Sequence, residues 1–175
     1  MERILILGSA GSGKSTLARQ LGERLQIEVI HLDRYWWRSG WQMTPQEVFL
    51  EKVLAFIEGE RWIMDGNYLP SLPLRLAAAD TAIFLDLPRL LCLWRVLLRY
   101  LKHRKVPRSD LPPGCPERLN WQFLKWIWLF PKVNRPTILK LLELAGRDKK
   151  VYIFRSSREV AEFLAKISST GRKNH

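Results

Sequence analysis

The chain has 175 residues, 47% of them hydrophobic, which suffices for one sizeable core and sets the expectation of a single domain. Its two cysteines, Cys92 and Cys115, and its three histidines are scattered, which excludes a disulfide framework and any readable Cys/His metal site, and the apolar run from Leu90 to Leu98 is broken by Arg95 and too short to cross a bilayer. A net charge of +12 leaves three partners to weigh: nucleic acid, an anionic membrane surface, or a highly charged phosphate ligand held in an arginine-lined pocket.

In chain order, Ile4-Leu5-Ile6-Leu7 reads as a buried strand. It runs into Gly8-Ser9-Ala10-Gly11-Ser12-Gly13-Lys14-Ser15, which matches the spacing G-x-x-x-x-G-K-[ST] of a phosphate-binding loop. A helix follows, with Leu17, Leu21 and Leu25 on one face. Strand, glycine-rich turn and helix start together aim backbone N–H groups and the positive end of the helix dipole at a polyphosphate. Lys14 is expected at the β- and γ-phosphates of ATP, the Ser15 hydroxyl on Mg²⁺, and Thr16 on a further phosphate.

Glu28 to Leu32 reads as a second strand ending at Asp33. A carboxylate at the C-terminal end of a parallel strand suits ligand chemistry. Asp33 is therefore a candidate for orienting an acceptor hydroxyl or taking its proton, with a Mg²⁺ shell or a simple turn as alternatives. The aromatic and basic stretch Arg34-Tyr35-Trp36-Trp37-Arg38-Ser39-Gly40-Trp41 reads as a loop. Its tryptophans either stack on a ligand ring, with Arg34 or Arg38 on phosphate, or close the core. Thr44-Pro45-Gln46-Glu47 has the form of a capping box for a helix to about Glu58, with Pro45 at its first position.

A third strand, Arg61 to Asp65, ends in a second carboxylate. Asp65 is preferred over Asp86, at the end of the fourth strand Thr81 to Leu85, as the partner of Mg²⁺, because Gly66 allows close ligand approach. A helix from Pro88 to about Arg104 should bury Leu90, Leu93, Trp94, Leu97 and Leu101, leaving Arg95 and Arg99 on one face as a phosphate clamp or as a solvated basic face. From Leu87 to Ser109 there are seven basic residues and no carboxylate. Prolines 107, 112, 113 and 116 break regular structure and mark a candidate lid.

The aromatic helix Leu119 to Phe130, ended or kinked by Pro131, reads as core or a subunit contact. Asn134-Arg135-Pro136 starts another helix, up to Gly146, from which Arg135 can swing toward the phosphates. A fifth strand, Lys150 to Phe154, precedes a second capping box, Ser156 to Glu159, and a helix to about Ser168. Residues 1–168 form the expected domain, with an acceptor-side segment at about 34–60, a lid at about 100–120 and a disordered tail at 169–175. With no basic stretch and apolar core before the first strand, no secretory signal is expected, and the setting is read as cytoplasmic.

These motifs together resemble the nucleoside-monophosphate kinase branch of phosphate-loop proteins. More closely, the chain is similar to the bacterial DNA topology modulation protein family, related to adenylate kinase. The resemblance rests on Ile6 to Thr16, Ile30-His31-Leu32-Asp33, Trp62 to Tyr68, Phe84 to Pro88, Cys92-Leu93-Trp94-Arg95 and Val151 to Ser156, nearly the whole chain. It implies an α/β three-layer sandwich: a five-stranded parallel sheet of order 2-3-1-4-5 flanked by helices, with a small lid. It departs after Asp65, where adenylate kinases carry Gly-Phe-Pro-Arg and this chain has Gly66-Asn67-Tyr68-Leu69.

Two functions fit. The first is ATP-dependent phosphoryl transfer to a small acceptor, a nucleotide or nucleoside, with Lys14, Asp33, Arg95, Arg99 and Arg135 catalytic and Asp33, Arg34, Trp36, Trp37 and Arg38 on the acceptor. The second is an ATP-regulated protein associated with nucleic acid, supported by the basic segment and abundant tryptophan. Neither fixes an oligomeric state.

Overall fold

A computed structural model describes residues 1–103, 111–116, 119–146 and 148–171. Five parallel strands form one sheet: β1 (Arg3–Gly8), β2 (Val29–His31), β5 (Trp62–Asp65), β6 (Thr81–Leu85) and β7 (Lys150–Phe154), in the order β2-β5-β1-β6-β7. Counted along the sheet strands alone, this is the expected 2-3-1-4-5. Short strands β3 (Trp37–Arg38) and β4 (Gln42–Met43) pair separately as an antiparallel hairpin.

Strand alternation divides the core. Ile4 and Ile6 of β1 face α1 (Lys14–Leu25) and α8 (Ser157–Gly171), whereas Leu5 and Leu7 face α3 (Gln46–Ile57), α4 (Leu72–Ala78) and α7 (Arg135–Ala145). All four side chains are fully buried, as expected of a central parallel strand covered on both faces. Shortening one of them to alanine costs about 2–5 kcal/mol. The N-terminal ends of β1 and β6 are tied together by Asp80, whose carboxylate accepts the backbone N–H groups of Glu2 (2.7 Å) and Arg3 (3.0 Å) and the Thr81 hydroxyl (2.6 Å).

Several local expectations are corrected. The stretch after Asp33 is not a loop but a helical turn, α2 (Asp33–Trp36), running into the β3–β4 hairpin. The Thr44 capping box does not form: its hydroxyl donates to the Tyr35 carbonyl (2.8 Å), Pro45 stays extended, and α3 starts one residue later. The second box does form in essence, with Glu159 N–H donating to Ser156 Oγ (3.2 Å) and the Glu159 carboxylate accepting Arg155 N–H (2.7 Å). Helix α8 continues to Gly171, so residues 169–171 are helical rather than tail, and 172–175 lie outside the described residues. Much of the expected lid, 104–110 and 117–118, also lies outside them.

Helix α6 (Trp121–Val133) passes through Pro131 and ends only at Asn134, whose N–H donates to the Phe130 carbonyl (3.0 Å). Its start is set by Asn120, whose side chain accepts the Phe123 N–H (2.8 Å). The largest reversal concerns α5 (Arg89–His103). Cys92 and Val96 are its buried face, while Leu90, Trp94 and Leu101 are more than half exposed. The helix is oriented by its contact with the phosphate loop: a Cβ on Gly11 would run into the Cys92 carbonyl oxygen. That contact turns Cys92 and Val96 inward at the expense of the larger apolar stripe.

Candidate active site

The loop between β1 and α1 closes on itself through Ser12 N–H to the Ser9 carbonyl (3.1 Å), with Gly11 and Gly13 at φ values of +77° and +98°. Such left-handed positions favour glycine, and successive N–H groups in turns of this kind suit an anion. Lys14 folds back over the loop, its Nζ donating to the Ser9 carbonyl (3.0 Å). Burial holds the Lys14 pKa below its ordinary value; Asp33 and Asp65 oppose that shift, and Arg99 adds to it. A polyanion entering here would meet an ammonium with little competing water.

Residues 65–68 build the other side. Asp65 is almost wholly buried, and its Oδ1 accepts from His31 Nδ1 at 2.8 Å. Asn67 clips the phosphate loop: its Oδ1 accepts Gly8 N–H (3.0 Å) and its Nδ2 donates to the Gly8 carbonyl (2.8 Å). The Tyr68 hydroxyl donates to Asp33 Oδ1, which fixes the carboxylate's orientation. Burial and the neighbouring Asp33 push the Tyr68 pKa far up, so the phenol stays a donor. Tyr68 sits at a φ of +33°, a position worth about 1–2 kcal/mol of strain for a residue with a Cβ.

The strain is held by Arg75, from α4. This fully buried guanidinium donates to Ser71 Oγ (3.0 Å) and to the carbonyls of Gly66 (2.9 Å), Asn67 and Tyr68 (3.0 Å). Burial presses its pKa down to about 9, partly opposed by Tyr68. Its hydrogen bonds fix the three carbonyls of the turn that carries the side chains bonded to Gly8 and Asp33.

Opposite, α5 lays Arg95 over the loop, donating to the Ser12 carbonyl (3.4 Å) and to Ser157 Oγ at the start of α8 (2.8 Å). Arg99 comes one turn later and Lys102 after it, both on the cavity wall. The cavity, about 1330 Å³, is continuous from residues 10–17 of the loop to Asp33, Asp65 and the rings of Trp36, Trp37 and Trp41. Phe123 and Trp126 of α6 also line it, so that helix is neither plain core nor only an outer face. Gly8 and Ser9 lie behind the loop rather than on the wall.

Three expected participants are elsewhere. Arg135 is held by Asp86 in a two-pronged ion pair, Nε to Oδ1 and Nη2 to Oδ2, each 2.8 Å. The hydrogen bond to Asp86 raises its pKa, and both oxygens of Asp86 are engaged. Arg34 and Arg38 are not on the cavity wall either. Helical twist accounts for Arg34, one position from Asp33 in α2, and strand alternation for Arg38, next to Trp37 in β3. The sequence reading missed Asn67, Tyr68, Arg75, His31 and Trp126; only the substitution of Asn67-Tyr68 into the loop after Asp65 offered a signal.

The donors near Lys14, namely the Ser15 hydroxyl and the carboxylates of Asp33 and Asp65, are hard oxygens of the kind Mg²⁺ takes together with substrate phosphates. Among the described residues no helix is long and apolar enough to cross a membrane.

No protein-family model matches the chain. It is 28% identical over 136 residues to an uncharacterized protein, YqaC, of Bacillus subtilis strain 168, covering 74% of this chain and 72% of that protein. Among solved structures it is similar to shikimate kinase from Bacteroides thetaiotaomicron, with a TM-score of 0.53, 16% identity and 97% of each chain covered. That likeness is one of fold: an α/β phosphate-loop architecture with a five-stranded parallel sheet flanked by helices.

Proposed function

We propose that this protein transfers the γ-phosphoryl group of ATP to a hydroxyl of a small-molecule acceptor, a nucleotide or nucleoside. One observation carries the reading: the phosphate loop and the aromatic pocket beyond Asp33 open into a single cavity, with Lys14 and Asp33 on its wall. In-line transfer needs two substrates held together and charge neutralised, and little covalent help. Lys14, Arg95 and Arg99 would bind the phosphates. Asp33, oriented by Tyr68, would hold the acceptor hydroxyl and take its proton. Ser15 and Asp65 would hold Mg²⁺, which supplies further neutralisation of the polyphosphate when bound.

The test is an acceptor panel with Mg-ATP, read as phosphorylated product, with wild type and Lys14→Ala side by side. Product that disappears with Lys14→Ala supports the assignment; equal product from both variants overturns it. ATP bound without any transfer, together with salt-dependent DNA binding, would instead favour the nucleic-acid reading.

A further inference from the structure

Helix α5 has two opposite faces. Cys92 and Val96 are buried against Ile127 of α6 and Gly11 of the phosphate loop. Leu90, Trp94, Leu97 and Leu101 follow one another at helical spacing and project the other way, with Leu98 beside them. Leu90 is 67% exposed, Trp94 56% and Leu101 60%. The same spacing recurs on α6 in Trp121, Lys125, Trp128 and Lys132, all exposed. The two rows meet where the Arg89 guanidinium, one residue before Leu90, lies 3.8 Å from the centre of the Trp128 ring. None of these side chains lines the cavity. Large apolar groups gathered on one exposed face, edged by cations, mark a contact surface.

The chemistry of the face selects the partner. Neither α5 nor α6 contains an aspartate or glutamate, and the chain as a whole carries a net charge of +12. A second copy of the chain would bring the same cations to the contact, and these helices offer no carboxylate to pair with them. Nucleic acid would reward the cations but not a row of leucines. An anionic bilayer rewards both: aliphatic side chains enter the boundary of the acyl chains, tryptophans favour the headgroup level, and lysine and arginine meet lipid phosphates. The α5 row is a ridge opposite the helix's own buried face, and a fluid bilayer takes up a ridge without a matching groove.

We propose that α5 and α6 dock this protein on the surface of an anionic lipid bilayer. Leu90, Trp94, Leu97 and Leu101 enter the boundary between headgroups and acyl chains, and Arg89, Lys125 and Lys132 hold lipid phosphates. The helices, of 15 and 13 residues, lie along the surface and do not span it. The docking goes beyond the kinase reading and does not depend on it.

The experiment floats the full chain with vesicles of phosphatidylcholine alone and with vesicles of phosphatidylcholine and phosphatidylglycerol in equal parts. Expected is partition onto the mixed vesicles at least about tenfold stronger than onto phosphatidylcholine, with tryptophan emission shifted to the blue. Lys125→Ala should weaken it by about fivefold, the equivalent of about 1 kcal/mol for one cation near a charged surface. Leu90→Gln with Leu101→Gln leaves the net charge untouched and should weaken it by at least about tenfold, while the melting temperature stays within about 2 °C because both positions are exposed. Three results overturn the proposal: no partition onto the mixed vesicles, equal partition onto both kinds, or partition unmoved by the paired leucine change, which would be adsorption by charge alone. Sedimentation and duplex-DNA titration of the same variants cover the rival occupants. A wild-type dimer that the paired change converts to monomer gives the face to a second copy, and a DNA affinity that falls with that change gives it to nucleic acid; either overturns the lipid assignment.

Discussion

Arg75→Met tests whether the turn after Asp65 is held from behind. The guanidinium makes hydrogen bonds to three carbonyls and one hydroxyl, all within a fully buried setting. Methionine fills most of the volume but donates nothing, so three carbonyls lose a partner, at about 1–3 kcal/mol each if none finds another. Against that stands the relief of no longer burying a cation with no carboxylate bonded to it, about 1–3 kcal/mol once its hydrogen bonds are counted. With the carbonyl loss near the middle of its range, about 6 kcal/mol, the balance is a loss of about 3–5 kcal/mol. In a chain of this size each kcal/mol moves the melting temperature by about 2–4 °C, so a fall of about 6–20 °C is expected.

Thermal unfolding followed by circular dichroism measures it, and Arg75→Lys, which keeps charge but not the planar fork, should fall between. Because Tyr68 then loses the restraint that aims it at Asp33, transfer should drop further than binding of an ATP analogue. A variant melting within about 2 °C of wild type would refute the reasoning, showing that water or a relaxed turn satisfies the carbonyls as well.

Two further substitutions probe the frame. Burial pushes the Asp80 carboxyl up, but the Thr81 hydroxyl, the N–H groups of Arg3 and Glu2 and the N-terminal charge together hold it below its ordinary value. A depressed folded pKa gives stability that is present above the unfolded value, about 3.9, and lost as pH falls through the folded one. Asp80→Asn should therefore be less stable than wild type by about 1 kcal/mol at pH 6, with the gap closing below about pH 4; urea titrations showing the same gap at pH 6 and pH 2.5 would count against it. Arg135→Ala and Asp86→Asn should each cost stability, with a coupling of about 1 kcal/mol in the double-mutant cycle and little change in kcat. A fall of about 10³ in kcat would mean instead that Arg135 leaves Asp86 for the phosphates during turnover.

The phosphate-loop part of the candidate site was legible because its strand, turn and helix start are local. Strand, glycines, Lys14 and Ser15 come one after another, and the backbone makes the cradle. Sheet order came from the resemblance carried by those same short motifs. The features that escaped were set by packing between distant segments. The apolar count along α5 favoured burying Leu90, Trp94 and Leu101, yet Gly11 on Cys92 turned the other face inward. Arg135 looked like a mobile phosphate ligand at a helix start, and nothing local places Asp86 across from it. Arg75 gave no sign at all: an arginine among Leu72, Leu74 and Leu76 reads as the polar side of a short helix, and only the turn of residues 66–68 around it gives the cation its partners.

That division reflects the chemistry of the two ligands. A polyphosphate can be held by main-chain N–H groups and one lysine, so its site is contained in a short motif. A planar ring needs faces, and faces are made by opposing elements. Here the rings that line the cavity come from the segment after Asp33 and from a distant stretch of chain, α6. The hairpin is also tied to the turn that precedes α6, by Gly40 N–H to the Gly114 carbonyl (3.0 Å), Trp41 to the Pro116 carbonyl and the Cys115 thiol to the Arg38 carbonyl (3.1 Å). The tryptophans that would hold the acceptor are therefore linked to residues 111–116.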